Sequence, residues 1–245
     1  MTALPTRKLE AYRYADTEAL AEVWTSLAPP HQVGIAAQQK VQQIWLPTGD
    51  EIDIRRVEMT VGAGASAQIF ALNNAARYGR IELDVTLHDG ADFSFDAAMI
   101  GGGQSTLEIV TTVRHSEPNA TSRQTVRSVL GGKAMGSYLG KVAVARDTQQ
   151  TDSEQSVKAM LLNRGATANA KPELEIYADD VKCAHGATVG ELDTNQLFYA
   201  AARGLPPAAA KALLLEGFVG GLWDALGEDS EIAVRARAAL REVTR

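Results

Sequence analysis

The sequence predicts a mainly β protein of short strands with helical segments at both ends, and three observations lead there. From about Val41 to Leu192, short β-rich runs such as AQIFALNN, STLEIVTTVRH and GSYLGKVAVARD alternate with Gly, Asn and Asp turns. Within these runs the apolar residues recur with period 2: Ile81, Leu83, Val85 and Leu87 share one strand face, and Leu107, Ile109 and Thr111 share another. On either side of the stretch the spacing changes to that of amphipathic helices. Short strands with frequent turns suit a sandwich, a barrel or a β-solenoid. No strict sequence repeat is visible, so periodicity alone does not choose the solenoid.

Three regions follow: an N-terminal helical segment over 1–38, a β core over 39–192 and a C-terminal helical module over 193–245. In the first, Leu9, Tyr12, Leu20, Val23, Trp24 and Leu27 form an amphipathic pattern that Pro29-Pro30 interrupts. In the last, Asp193 is placed to cap a helix through Leu197, Phe198 and Tyr199. Arg203-Gly204 and Pro206-Pro207 end that helix and begin a second, expected from Pro207 to Leu226, with Leu214, Phe218, Leu222 and Leu226 at i, i+4 spacing. A final helix carries Ile232, Ala236, Ala239, Leu240 and Val243. A module this small needs the β body or a partner to pack against.

The chain has 245 residues, enough for a sizeable core, with 45% hydrophobic and 22% charged residues. Its net charge of −6 argues against nucleic acid as a partner. No run of about 18 apolar residues predicts a membrane span. Met1–Asp16 lacks the apolar centre of a secretory signal, and the single cysteine cannot form an internal disulfide. The expected location is the cytoplasm.

The chemistry-bearing stretch is Lys171–Leu192, KPELEIYADDVKCAHGATVGEL. It holds the only cysteine, Cys183, and one of four histidines, His185, two residues later. On a strand the two side chains share a face, and thiolate with imidazole suits iron, zinc or copper. Two ligands do not complete a metal site or hold a typical iron–sulfur cluster, so the remaining ligands must come from another molecule. The plainer reading is a packed thiol beside a hydrogen-bonded histidine. Asp179-Asp180 read as a turn. Gly101-Gly102-Gly103 and Gly131-Gly132-Lys133 also read as turns, because neither matches a phosphate loop. His88-Asp89 and His115 sit at strand ends and read as structural or surface residues. Ser122, Ser128 and Ser137 have no context that makes a nucleophile, and no enzyme activity is expected.

KPELEIYADDVKCAHGATVGELDTNQLFYAAARG closely resembles the C-terminal signature of SufD subunits in the SufB/SufD family of the SUF iron–sulfur assembly system. GSYLGKV at Gly136–Val142, the following QQTDSEQSVKAMLL, the segment of His115 with Thr121-Ser122, and PTRKLEAYRYAD are similar to further family segments, with Tyr12 where the family usually has Trp. The chain is shorter than typical members, so fewer N-terminal helices and β coils are expected. AAARG replaces a bulkier, more polar run.

The resemblance implies a right-handed parallel β-helix with a helical C-terminal module, acting as a non-catalytic scaffold. It implies pairing with a SufB-like subunit through the last coil, at Val181, Cys183, His185 and Thr188. It also implies docking of a SufC-like ATPase through Leu197, Phe198, Tyr199, Arg203, Gly204, Leu214 and Phe218. His185, and secondarily Cys183, are implied as transient or shared ligands of iron or a nascent cluster. No cofactor is expected to bind stably to this chain alone, and no flavin site is legible. Two other readings remain: a β-helical carbohydrate-active enzyme, marked by carboxylates and aromatics along a face, and a homodimer joined at the same coil.

Overall fold

The computed structural model describes residues 3–244. Twelve strands wind as a parallel β-solenoid: β1 (His31–Ile35), β2 (Lys40–Trp45), β3 (Ile52–Val61), β4 (Ser66–Asn73), β5 (Tyr78–Leu87), β6 (Asp92–Gly101), β7 (Thr106–His115), β8 (Thr121–Leu130), β9 (Met135–Val144), β10 (Thr151–Leu161), β11 (Thr167–Ile176) and β12 (Val181–Glu191). Odd strands form one six-stranded sheet and even strands the other, so each successive pair is one coil. Along every strand alternate residues point between the sheets. Val85, Leu87, Phe95, Ala97, Ile109, Val113, Val126 and Val142 make a dry interior that runs through the coils.

The coils repeat without a fixed period. Ser66 and Asp92 are 26 residues apart, Asp92 and Thr121 are 29 apart, and Ser122 and Ser153 are 31 apart. What repeats is the backbone. The turn between the two strands of each early coil holds one left-handed residue: Gln38 (φ 63°), Gly64 (63°), Gly90 (62°) and Asn119 (62°). Their amides donate to the next turn along, Gln38 to the Ala63 carbonyl at 3.0 Å, Gly64 to Asp89 at 2.8 Å and Gly90 to Pro118 at 3.0 Å. On the other side the two glycine runs stack as turns, with the Gly131 amide donating to Gly101 at 2.9 Å and Lys133 to Gly103 at 2.7 Å. At Gly132 (φ 62°) a Cβ would lie 2.9 Å from the Gly103 carbonyl oxygen, so only glycine suits that turn.

Helices cover the outer faces. α1 (Thr17–Val23), capped by Asp16 accepting from the Glu18 and Ala19 amides, packs Ala19 and Leu20 on Tyr78 of the odd-strand sheet. The strand β1 falls inside the region expected to be helical. α1 already stops at Val23, Pro29-Pro30 hold the following backbone extended, and HQVGI then pairs with β3 in register. At the other end α2 (Thr194–Ala202), α3 (Pro207–Gly220) and α4 (Glu231–Val243) follow β12. Asp193 caps α2 by accepting from the Asn195 amide at 2.8 Å, as its position predicts. α3 ends at Gly220, before the expected Leu226, because Gly220-Gly221 weaken the helix, and a short 3-10 turn at Asp224–Leu226 follows. Leu215, Val219, Ile232, Ala236 and Leu240 bury Phe70, Leu72, Ala98, Ile100 and Val129 on the even-strand sheet. Among the described residues no helix is long and apolar enough to cross a membrane.

Candidate functional site

The solenoid ends in an uncovered coil. β11 and β12 are the last strands of their sheets, each paired on one edge only, to β9 and β10. The register assigns the interior-facing positions. Gly136, Tyr138, Gly140, Val142 and Val144 pair with Ala168, Ala170, Pro172, Leu174 and Ile176. Thr151, Ser153, Gln155, Val157 and Ala159 pair with Val181, Cys183, His185, Ala187 and Val189. The end of the solenoid is therefore apolar apart from one thiol and one imidazole. Val181, Cys183 and Leu174 pack partly on the core, whereas Ile176 and Val189 are 38% and 49% exposed. Pro172, which lacks an N–H, is tolerated because β11 is an edge strand.

The structure brings Cys183 and His185 together on this inward face, about 7 Å apart along the strand by strand geometry. Val181 joins them. Thr188 does not, because its partner Lys158 faces outward, so Thr188 lies on the outer side of the same edge. Burial pushes the Cys183 thiol pKa up, and the nearby Asp152 carboxylate adds to this, so the sulfur is held as a thiol. Among the described residues no three His, Cys, Asp or Glu side chains gather as a metal site. Asp179 and Asp180 form the turn between β11 and β12. The Asp180 amide donates to Gln149 Oε1 at 2.8 Å, and its carbonyl accepts from the Gln150 amide at 2.7 Å.

Beneath this end the interior changes character. Thr111, His115, Ser122, Gln124, Ser153 and Gln155 are buried polar residues inside the fourth and fifth coils. His115 Nε2 lies 2.9 Å from Ser122 Oγ, and Ser122 Oγ 2.9 Å from Ser153 Oγ. Burial lowers the His115 pKa to about 4, which keeps the ring neutral. The sequence reading of His115 as structural holds, while its surface alternative does not: the residue is 1% exposed. In the next row Thr111 Oγ1 donates to Gln124 Oε1 at 2.6 Å, Tyr138 Oη donates to the same oxygen at 3.2 Å, and Gln155 Nε2 donates to Tyr138 Oη at 3.1 Å. Reasoning from the sequence missed these rows. The signal was present in TDSEQSVKAML, where alternation places Ser153 and Gln155 with Val157 and Ala159.

The helical foot displays a second surface. Phe198 and Tyr199 on α2 are 76% and 62% exposed, and Leu213 on α3 is 58% exposed. Arg203 Nη2 donates to Tyr199 Oη at 3.2 Å, with its guanidinium 5.2 Å from the ring centroid. Gly204 (φ 86°) turns the chain between α2 and α3. Leu197, Leu214 and Phe218 are half-buried, and Phe218 packs on the cluster beneath α3.

Residues 27–218 match the family described as SUF system FeS cluster assembly, SufBD core domain. The chain belongs to the SufBD family. It is 30% identical over 178 residues to the iron–sulfur cluster assembly SufBD family protein slr0076 of Synechocystis, covering 72% of this chain and 39% of that one. It is 35% identical over 119 residues to the iron–sulfur cluster assembly protein SufD of Escherichia coli, covering 49% of this chain and 28% of that one. It is 38% identical over 118 residues to the chloroplastic protein ABCI7 of Arabidopsis thaliana, covering 47% of this chain and 24% of that one. The match thus spans less than half the length of each of these SufBD relatives. The exposed aromatics among the described residues, Tyr177, Phe198 and Tyr199, lie at the last coil and on α2.

Proposed function

We propose that this SufBD chain is a non-catalytic scaffold subunit of the SUF iron–sulfur assembly machinery, working by pairing its last coil with a SufB-like β-helix. The observation that carries this reading is the uncovered coil, an apolar interior cross-section whose only polar side chains are Cys183 and His185. An exposed strand edge of this kind invites a partner that continues the sheets. The nascent cluster is cargo at that seam. His185 supplies one ligand, Cys183 is a secondary one after losing its proton, and the SufB-like partner supplies the rest. No cofactor is held by this chain alone. The exposed α2 face of Phe198 and Tyr199, with Arg203 and α3, receives a SufC-like ATPase. The cytoplasm is the proposed site of action, and a homodimer through the same coil is the form expected when the partner is missing.

The test is co-expression with the SufB-like and SufC-like proteins of the same organism, comparing wild type with His185→Ala by gel filtration and by cluster absorbance. An intact complex whose cluster content falls several-fold supports the reading. An intact complex with full cluster content makes His185 structural. A chain that co-purifies with neither partner overturns the scaffold assignment.

A further inference from the structure

Gln155 is 1% exposed, and its amide is only half used. Nε2 donates to Tyr138 Oη at 3.1 Å, while Oε1 is buried without a partner. The stack around it limits where that oxygen can be satisfied. Gln155 sits in register between Gln124 on β8 and His185 on β12. Gln124 Nε2 is also buried and unpartnered, so an oxygen turned toward Gln124 has a donor available there, yet no such bond forms. Tyr138 Oη, on the facing sheet, already donates to Gln124 Oε1. The remaining neighbour along the stack is His185, one strand spacing of about 4.8 Å away and free to turn its ring because it lies in the uncovered coil. Buried acceptors are rarely left without a donor, and an imidazole always carries an N–H in its neutral form.

We propose that Gln155 is the positioning residue for His185: its side-chain oxygen accepts the inward ring N–H, fixing one tautomer and presenting the other nitrogen's lone pair outward across the end of the solenoid. Thr111 and Tyr138 brace Gln124, Tyr138 braces Gln155, and Gln155 aims the imidazole, so the polar row forms a support for one side chain. A histidine whose outer nitrogen is to bind a metal needs this orientation from its other nitrogen. At Cys183 the Ser153 hydroxyl beneath is taken up by Ser122 at 2.9 Å, and the sulfur is met by a hydrogen bond from the Ser153 backbone instead. The functional meaning of this support rests on the ligand role proposed for His185, but the support itself can be tested without iron.

The experiment is long-range proton–nitrogen NMR of the ¹⁵N-labelled full chain under conditions where the imidazole is neutral, with His185→Ala assigning the ring among the four histidines. We expect one His185 tautomer to dominate by roughly five- to tenfold, the bias that one net hydrogen bond gives. Gln155→Glu keeps an acceptor and the bias, whereas Gln155→Met returns the ring to the mixed pattern of a free imidazole. A wild-type ring that already shows that mixed pattern overturns the proposal, whether or not the Met variant folds. So does a bias that survives Gln155→Met. If the tautomer is fixed but His185→Ala leaves cluster content unchanged, Gln155 positions a residue that cargo does not use, and only the ligand role fails.

Discussion

Arg80 and Glu108 are 1% and 0% exposed, and their ion pair of 3.0 Å lies beneath the N-terminal segment. Tyr78 Oη donates to the same Glu108 oxygen at 2.6 Å, Arg80 Nη2 donates to the Ala11 carbonyl at 2.8 Å, and the guanidinium sits 4.3 Å from the Tyr12 ring centroid. Burial, reinforced by the Glu108 carboxylate, raises the Tyr78 pKa and keeps the phenol protonated as a donor. One buried pair thus joins β5, β7 and the N-terminal segment. Removing one partner leaves the other charge buried and uncompensated, which costs more than the pair itself contributes. Arg80→Met is therefore expected to lower unfolding stability by about 3–5 kcal/mol, with Arg80→Met/Glu108→Leu recovering part of the loss. Urea denaturation of the three chains checks this. A double variant less stable than Arg80→Met means that the carboxylate gains more from Tyr78 than it loses without Arg80.

Among the elements, β12 has the most consequence and was the most legible. Alternation alone placed Cys183 and His185 on one face, and Asp193 marked where the strand gives way to α2. Other elements were hidden for physical reasons. β1 is short, its residues are mostly exposed, and HQVGI carries little apolar signal. The coil repeat stayed invisible because loop lengths drift and because the left-handed turn position is filled by Gln38, Gly64, Gly90 and Asn119 in turn. The backbone requirement is constant while the residue that meets it is not. Gln124 and Gln155 were passed over because amides on an alternating strand ordinarily face water, although in β10 the alternation sets Gln155 on the face of Val157 and Ala159. The sided character of β12 yields a prediction. Val189→Lys places a charge on the inward side, the one proposed to meet the partner, yet in the isolated chain that side is half exposed, so stability should change by less than about 0.5 kcal/mol. Pairing with a SufB-like subunit should weaken at least about tenfold, because the charge is desolvated at the seam. Thr188→Lys, on the outer face, should weaken it less. Equal effects in a titration of the two variants would mean that the partner does not continue the inner face.

Across the whole molecule the interior gains polar side chains along the coils: it is apolar through the early ones apart from Asn73, and lined with hydroxyls, amides and His115 in the later ones. That gradient makes the end that bears the site the acid-sensitive end. His115 is held neutral, with a pKa of about 4 in the folded chain against about 6.5 unfolded. Between those values the unfolded chain binds the extra proton, so folding stability rises with pH there. The His115 contribution is complete above about pH 6.5, falls as pH drops through the window, and levels off below about 4. At pH 4.5 the loss relative to pH 7 is about 2 kcal/mol from this one ring. Urea denaturation of wild type and His115→Gln at both pH values isolates it, since carboxylates elsewhere titrate alike in the two chains. His115→Gln should lose about 2 kcal/mol less than wild type on acidification, whatever its stability at pH 7. Equal losses would mean that the fold does not lower the His115 pKa, because the ring would then take up its proton over the same pH range folded and unfolded.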